Sequence, residues 1–510
     1  MKILKIIFSR TTFLILTVLL EILILISVSH LFGNVAGYVE MILRILAVIA
    51  VLGIVRFSRH LSSDLVWIIV ILLFPVPGTA VFLLLGANLF TGRTYHHIRK
   101  ETKAARGLLV PDEETEAEMK AAAPALSGQF HYLSRSAGFP FFKNAGCDYY
   151  PLGDAGYPDM LKELKRAERF IFLEYFIIEK GEMWNGILSI LEEKAAAGVD
   201  VRILYDDAGS YSTLPLNYAK ELEKKGISCI PFNRINPIIN IIMNHRDHRK
   251  ILVIDGKVAF SGGINLADEY INRVTRFGHW KDNVIRVRGG AVWPMTVLFL
   301  SHWNALRKQD EDYTKFRAAP EDLAGFPAER GYLAPYSESP LDSEITAQNI
   351  YMGILNQATR YCYIFTPYLI IDTELENALI LAAKRGVDVR IVTPGIPDKK
   401  LVYSITRSYY LPLIRGGVRI FEYTPGFIHS KVFVCDDRIA TVGTVNLDYR
   451  SLYLHFENGI YLFDCGAVAD VRRDAEETIA ASREVAPEDC TGGVVKEFAL
   501  SALRLVAPLL

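Results

Sequence analysis

The sequence predicts an α/β fold: duplicated α/β sandwich domains with central, mostly parallel sheets, preceded by N-terminal transmembrane helices. Three observations predict it. The apolar excess is confined to the N-terminus, a strand–helix–strand phrase occurs twice in the remainder, and each copy ends in the same spaced set of polar residues. The chain has 510 residues, 51% apolar and 22% charged, with a formal net charge of −1. That length suits two or more ordinary domains or one large duplicated one. A near-neutral chain has no broad basic field, so no nucleic acid partner is expected from bulk electrostatics. The six cysteines form no CxxC pair and no tight cluster. They read as reduced, separately buried thiols of a part facing the cytoplasm, not as a secreted disulfide framework.

The membrane element comes first in the chain. Thr11–Phe32 is an apolar run long enough to span a bilayer, and Gly37–Val55 is a second candidate. Leu65–Phe90 is a third, broken in its middle by Pro75, Pro77 and Gly78. The first run is too long and too poorly ended for a cleaved signal peptide. Lys2, Lys5, Arg10, Arg56 and Arg59 favour an inside N-terminus and an inside second loop. A third segment that re-enters and returns keeps the following basic residues inside as well. The expected organisation is a membrane segment over 1–92, a charged connector over 93–135 that holds the globular part off the bilayer, repeats over 136–330 and 331–490, and an apolar C-terminal helix over 491–510. The expected location is the cell membrane, multi-pass, with the catalytic part on the cytoplasmic face.

The duplication is visible in phrases. FIFLEYFII (Phe170–Ile178) parallels YIFTPYLII (Tyr363–Ile371), and GVDVRI occurs at Gly198–Ile203 and at Gly386–Ile391. A histidine strand follows each. Strands alternating with helices imply α/β layers, and a repeat of this length is a domain duplication. A site on the axis between the copies would receive one polar set from each.

Those sets match interval by interval. The first is His248, Lys250, Asp255, Gly262, Gly263 and Asn265; the second is His429, Lys431, Asp436, Gly443, Thr444 and Asn446. His248, Lys250, Asp255, His429, Lys431 and Asp436 are the candidate catalytic set. Strand alternation puts each histidine and its lysine on one face and the aspartate on the other, which gives Asp255 and Asp436 a structural share. Two histidines, two lysines and two asparagines suit a phosphodiester anion. Lys250, Asn265, Lys431 and Asn446 can hold its oxygens and stabilise the added charge of a pentacoordinate transition state. One neutral imidazole can attack phosphorus, and the other can protonate the leaving alkoxide and then serve as base. A third element follows each copy and brings Asp282 and Glu457. Each is a candidate to orient an imidazole and fix its tautomer. His245 and His248 stand three apart, but no further ligands with metal-site spacing are visible, so neither metal nor cofactor is expected.

HRKILVID with GGIN, and HSKVFVCD with GTVN, resemble the HxKxxxxD and GxxN signature of the phospholipase D superfamily. Within it FPVPGTAVFLLLG, HWKDNVIRVRG and GTVNLDYRSLYLHFENG are similar to the bacterial cardiolipin synthases, over nearly the whole chain. Thr444 departs mildly from the glycine at position 263. The resemblance implies a membrane-bound phosphatidyltransferase that makes cardiolipin and glycerol from two phosphatidylglycerol molecules through a phosphatidyl-histidine. It implies His248 as nucleophile and His429 as acid/base. The partners implied are phosphatidylglycerol and cardiolipin in the bilayer. A phospholipase D-type hydrolase of the same chemistry, or a non-enzymatic membrane scaffold, stays open on the residues alone. Leu401–Gly417, mixing aromatic and basic residues, is a candidate lining for a lipid entrance or a packed helix.

Overall fold

The structure is a computed structural model that describes residues 34–57, 61–83, 92–234 and 245–491, with scattered positions to 507. The apolar run Thr11–Phe32 and most of the C-terminal segment lie outside the described residues. Contacts divide the chain into two units.

The smaller unit contains the helices Asn34–Phe57, Leu61–Leu73 and Pro75–Val81. The break between the last two falls at Phe74, because Pro75 has no amide hydrogen to continue the ladder. Gly78 comes so close to the preceding helix that an added Cβ would stand 2.4 Å from the Val70 carbonyl oxygen. Ala47, Ile54 and Ile71 form a small core. Ile42, Ile45, Ile49 and Leu52 are each more than half exposed. No helix among the described residues is long and apolar enough to cross a membrane.

Among its described residues the larger unit, Thr94–Arg234 with His245–Ser501, holds two large sheets and two two-stranded ones. Its strands run β1 (Phe142–Lys143), β2 (Gly146–Tyr150), β3 (Phe170–Tyr175), β4 (Asp200–Asp206), β5 (Ser228–Phe232), β6 (Lys250–Ile254), β7 (Val258–Gly262), β8 (His279–Lys281) and β9 (Val284–Arg288). They continue with β10 (Tyr332–Glu338), β11 (Tyr361–Phe365), β12 (Leu369–Ile370), β13 (Asp388–Pro394), β14 (Arg419–Tyr423), β15 (Gly426–Ile428), β16 (Val432–Cys435), β17 (Ile439–Gly443), β18 (Leu447–Asp448), β19 (Glu457–Phe463) and β20 (Ser482–Glu484). The two-stranded sheets are β12-β18 and β15-β8. One large sheet is ordered β2-β9-β7-β6-β3-β4-β5 and the other β1-β10-β19-β17-β16-β11-β13-β14-β20. The inner order is the same in both: β9-β7-β6-β3-β4-β5 matches β19-β17-β16-β11-β13-β14.

The sheets are mixed, which corrects the expectation of mostly parallel ones. Within the two large sheets only β3-β4-β5 and β11-β13-β14 are parallel runs among the described residues. The histidine strands break the pattern because each turns back at once. Asp255 and Gly256 take φ of 54° and 70°, and Asp436 and Asp437 take 53° and 63°. Two successive positive φ values make the tight hairpin turn that fits strand twist, and a hairpin joins only antiparallel strands. β6 and β16 therefore pair antiparallel on both sides.

The same aspartates tie the turns down. The Asp255 carboxylate accepts from the backbone N–H of Glu168, Arg169 and Phe170 at 2.8–2.9 Å. Asp436 accepts from those of Thr359, Arg360 and Tyr361 at 2.7–2.9 Å. Each stitches the start of the neighbouring strand, β3 or β11, to the end of the histidine strand.

The stretch 93–135 is not a spacer. Ile98, Ala105, Leu109 and Met119 from it are buried, and Arg106 pairs with Asp342 at 2.5 Å. Its helical apolar face docks on the larger unit and leaves only the charged face to solvent. The two halves of that unit also interlock. β8 of the first pairs in parallel with β15 of the second, and Phe427 is part of the first half's core. Leu401–Gly417 forms packed helices, with Ile405, Tyr410 and Leu413 buried.

Replacing Asp255 or Asp436 by Ala leaves three amides without their acceptor. We expect each change to destabilise the larger unit by about 2–4 kcal/mol, read as a lowered melting temperature, while turnover per folded molecule stays close to that of the parent.

Candidate active site

The motif histidines precede β6 and β16, at the ends where the halves meet. Each is pinned by the opposite half. The His248 backbone N–H donates to the Phe456 carbonyl at 2.9 Å, and that of His429 to the Lys281 carbonyl at 2.7 Å. The next residue in each opposing strand is the carboxylate. His248 Nδ1 lies 2.8 Å from Glu457 Oε2, and His429 Nδ1 lies 2.6 Å from Asp282 Oδ2. The pairing is crossed: the histidine of one half takes the acid of the other. An ionised carboxylate at Nδ1 holds the proton there and leaves the Nε2 lone pair for chemistry.

The lysines emerge on the same face, as alternation requires. Lys250 Nζ donates to the His248 carbonyl at 2.8 Å. Lys431 Nζ lies 2.9 Å from His429 Nδ1 and also donates to the His429 carbonyl. All four side chains are buried. Burial, and then the neighbouring lysines, hold both imidazoles low: His248 well below its ordinary 6.5, and His429 at about 4. Burial also pulls Lys250 from 10.5 to about 7 and Lys431 to about 8, although Glu457 and Asp282 oppose that fall. Desolvation pushes Glu457 well above 4.5, whereas the neighbouring His429 and Lys431 outweigh burial and hold Asp282 below 3.8. Each histidine feels the lysines of both halves, so the two sets act as one electrostatic site.

The glycine-rich segments are explained by these carboxylates. A Cβ on Gly263 would stand 1.8 Å from Asp282 Oδ1. In the second half Thr444 occupies this place, and its hydroxyl donates to Glu457 Oε2. The two differences compensate: where the acid is Asp, its own oxygen fills the space that a threonine hydroxyl fills beside Glu. Gly262 and Gly443 let the backbone of the Asn that follows each acid approach, since a Cβ would meet its carbonyl at 2.4 and 2.5 Å.

The structure brings His248, Lys250, His429, Lys431, Asp282 and Glu457 together, and it leaves Asp255 and Asp436 at the far ends of their strands on backbone amides. Asn265 is largely committed. Its Oδ1 accepts from the Ile177 N–H at 3.1 Å and its Nδ2 donates to Tyr270 Oη at 2.7 Å, leaving at most one amide hydrogen for a phosphate. Asn446 Oδ1 is buried without a protein partner. That oxygen is an acceptor, so it suits a hydroxyl donor and not a phosphate oxygen.

Sequence reasoning passed over the neighbouring asparagines. Asn458 Oδ1 accepts from the Lys250 N–H at 3.1 Å and its Nδ2 donates to Ser261 Oγ at 2.8 Å, across the halves. Asn283 Oδ1 accepts from the Gly263 N–H at 3.1 Å. The signal was present: an Asn follows the acid in both copies. Also missed was a buried cluster on the opposite side of the His248 strand. Glu174, Asp247, Arg249 and His302 are all within 1% of full burial. His302 Nδ1 lies 3.1 Å from Glu174 Oε1, and Arg249 Nη1 lies 3.5 Å from the same oxygen. Burial, with Asp247 nearby, raises Glu174 to about 7.

Among the described residues two trios have donor atoms close enough for a metal: His248, His455 and Glu457, and Glu174, Asp247 and His302, each within 4.8 Å. Neither suits a cation. The first shares its space with Lys250, and its His248 Nδ1 is already taken by Glu457. In the second, the Arg249 guanidinium stands in the cation's place. His245 turns its Nδ1 to the Leu454 carbonyl at 2.9 Å.

With that geometry in hand, comparison with known proteins is informative. A family model described as cardiolipin synthase, PLD-like domain, matches residues 160–275 and 351–479. A protein of Streptococcus mutans described as uncharacterized is 45% identical over 462 residues, covering 90% of this chain and 99% of its own. The cardiolipin synthase of Halalkalibacterium halodurans is 32% identical over 483 residues, covering 94% of this chain and 95% of its own. Cardiolipin synthase 2 of Bacillus cereus is 32% identical over 458 residues, covering 89% and 88%. Among solved structures, the phosphatidylserine synthase of Haemophilus influenzae superposes with a TM-score of 0.56 at 16% identity, over 75% of this chain and all of that one. That likeness shows the fold.

Two outcomes follow for assays of turnover. Gly263→Ala forces Asp282 away from His429 and is expected to lower kcat by about 100-fold or more, as loss of an orienting carboxylate does; Thr444→Ala, which removes a donor to Glu457 and the acceptor of the Asn458 N–H, is expected to cost about 10-fold or less. The second concerns pH. Lys250 and Lys431 are charged below about 7 and about 8 and lose that charge as pH rises through these values. Binding of a phosphate anion weakens in that direction, so kcat/KM should fall from about pH 7 to pH 9; a profile still flat at pH 10 contradicts this electrostatic account.

Proposed function

The chain belongs to the cardiolipin synthase family of phospholipase D-like proteins, and on that premise we propose that it joins two phosphatidylglycerol molecules into cardiolipin, releasing glycerol. The observation that carries the reading is the crossed pair of imidazole–carboxylate couples with a lysine beside each. One phosphodiester held between the halves meets a nucleophile on one side and a proton donor on the other, an in-line arrangement for displacement at phosphorus. His248 Nε2 forms a bond to phosphorus, and the bond to the glycerol oxygen breaks. The negative charge of the bound phosphodiester offsets the lysines that hold His429 low, so His429 carries a proton on Nε2 in the substrate complex and gives it to that oxygen as glycerol leaves. The hydroxyl of a second phosphatidylglycerol then loses its proton to His429 and attacks the phosphatidyl-histidine, which frees His248. Lys250 and Lys431 hold the non-bridging oxygens and stabilise the added negative charge. Asp282 and Glu457 orient the rings.

The burial of every catalytic group supports transfer over hydrolysis. Water that reached the intermediate would release phosphatidic acid, and a dry site with a lipid alcohol at hand favours the second phosphatidylglycerol. The apolar helices of the smaller unit, with their exposed Ile42, Ile45 and Ile49, support seating in a bilayer. We place the protein in the cell membrane with this site on the cytoplasmic face.

The full-length protein incubated with phosphatidylglycerol vesicles is expected to produce cardiolipin and glycerol, read by lipid mass spectrometry. His248→Ala and His429→Ala are each expected to lower the rate by about 10³-fold or more. Phosphatidic acid as the sole product would replace synthesis with hydrolysis. Substantial turnover in either variant would overturn the two-imidazole mechanism.

A further inference from the structure

We infer that His455 is a positioning residue of this reaction: from behind Glu457 it keeps Nε2 of His248 free of a proton, and so breaks the equivalence of the two halves. The inference rests on the reading above for its substrate but not for its geometry. HWKDN (His279–Asn283) and LHFEN (Leu454–Asn458) occupy matching places, so His455 corresponds to Trp280, two residues before the acid. Both rings sit beside the histidine that their acid orients. The ring centroids of Trp280 and His429 are 5.7 Å apart, and those of His455 and His248 are 5.9 Å apart. One catalytic imidazole is thus flanked by an indole and the other by a second imidazole.

His455 is buried, and neither of its ring nitrogens has a hydrogen-bond partner. Leaving both nitrogens of a buried imidazole unpaired is costly, and such orphans merit a functional account. The carboxylate within reach is Glu457, whose Oε1 lies 3.9 Å from His455 Nδ1. The other charged groups facing the ring are Arg450 from the preceding turn, His245 and Arg246 from the segment before β6, and Lys250 on β6. Burial and this cationic company hold His455 well below 6.5, so it stays a neutral N–H donor.

A shift of about 1 Å brings Nδ1–H within hydrogen-bond range of Glu457 Oε1. Glu457, which already accepts from His248 and the Thr444 hydroxyl, then shares its charge with a third donor and raises the basicity of His248 less than it would without it. His248 keeps its Nδ1–H and an unprotonated Nε2, the form that attacks phosphorus. Asp282 has no such second imidazole. Its Oδ1 accepts from the Asn283 backbone N–H at 2.9 Å, and with no second imidazole drawing on it the carboxylate favours a proton on His429, the form that serves as general acid.

The test compares His455→Phe, which keeps a ring and removes the donor, with His455→Asn, which keeps an amide N–H. The Phe variant is expected to lose about 10-fold in kcat with KM unchanged, and its acid limb in kcat/KM should move up by about half a unit to one unit. The Asn variant should stay within about 3-fold of the parent, with the limb restored. Labelling of His248 by diethyl pyrocarbonate, followed across pH by peptide mass spectrometry, should show the same upward shift in the Phe variant. Labelling needs no turnover, so it separates this inference from the lipid-transfer reading: a protein that makes no cardiolipin still reports its His248. If His455→Phe fails to fold, His455→Leu carries the same expectations. A parental acid limb and parental labelling profile in the donor-less variant, or a lowered melting temperature without either shift, overturns the inference.

Discussion

The architecture depends on one reciprocal exchange: the histidine of each half is held by the backbone and carboxylate of the other. His248 is fixed by Phe456 and Glu457, and His429 by Lys281 and Asp282. Neither half has a complete imidazole–carboxylate couple by itself. The interlocked β8–β15 pair and the seating of Phe427 in the first half's core keep the exchange in register. Asn458 adds a further cross-tie through Lys250 and Ser261. A small relative slide of the halves would misplace both imidazoles together, because hydrogen-bonded couples tolerate little displacement.

This exchange takes ionisable groups out of water, and the chemistry follows from that. Burial depresses the histidines and lysines and raises Glu457, so the empty site is short of stable positive charge. A phosphodiester restores the balance by giving both lysines a partner. The charge added at the transition state is better matched still, so these groups favour the transition state over the ground state. Exclusion of water serves a second purpose in phosphatidyl transfer, where an alcohol must outcompete a solvent present at far higher concentration.

Much of the site was legible in the sequence. Spacing alone grouped His248 with Lys250 and His429 with Lys431, and alternation separated them from Asp255 and Asp436. The succession of strands along each half of the chain was legible from the repeated phrases, and their order in the sheet was not. Nor was their direction. Strand–helix alternation suggested parallel neighbours, but the positive-φ turns after each histidine strand make hairpins, and that choice is visible only in the turn residues Asp255–Gly256 and Asp436–Asp437. The crossing was hidden because carboxylates follow both histidines, and interval arithmetic cannot tell which acid meets which ring. The cluster of Glu174, Asp247, Arg249 and His302 was hidden because its members are far apart in the chain and share no motif. The stretch 93–135 looked like a solvated spacer by charge, and its few apolar residues turned out to be enough to dock it.

The crossing itself is most directly tested by titrating the histidines of carbon-13-histidine-labelled protein by NMR in Glu457→Gln and Asp282→Asn variants. Removing a carboxylate lowers the basicity of the imidazole it holds. Reciprocal exchange predicts that the change at Glu457 lowers the titration midpoint of His248 and leaves that of His429 in place, and that the change at Asp282 does the reverse. A shift of the histidine in the same half as the altered acid, or of both equally, would contradict it.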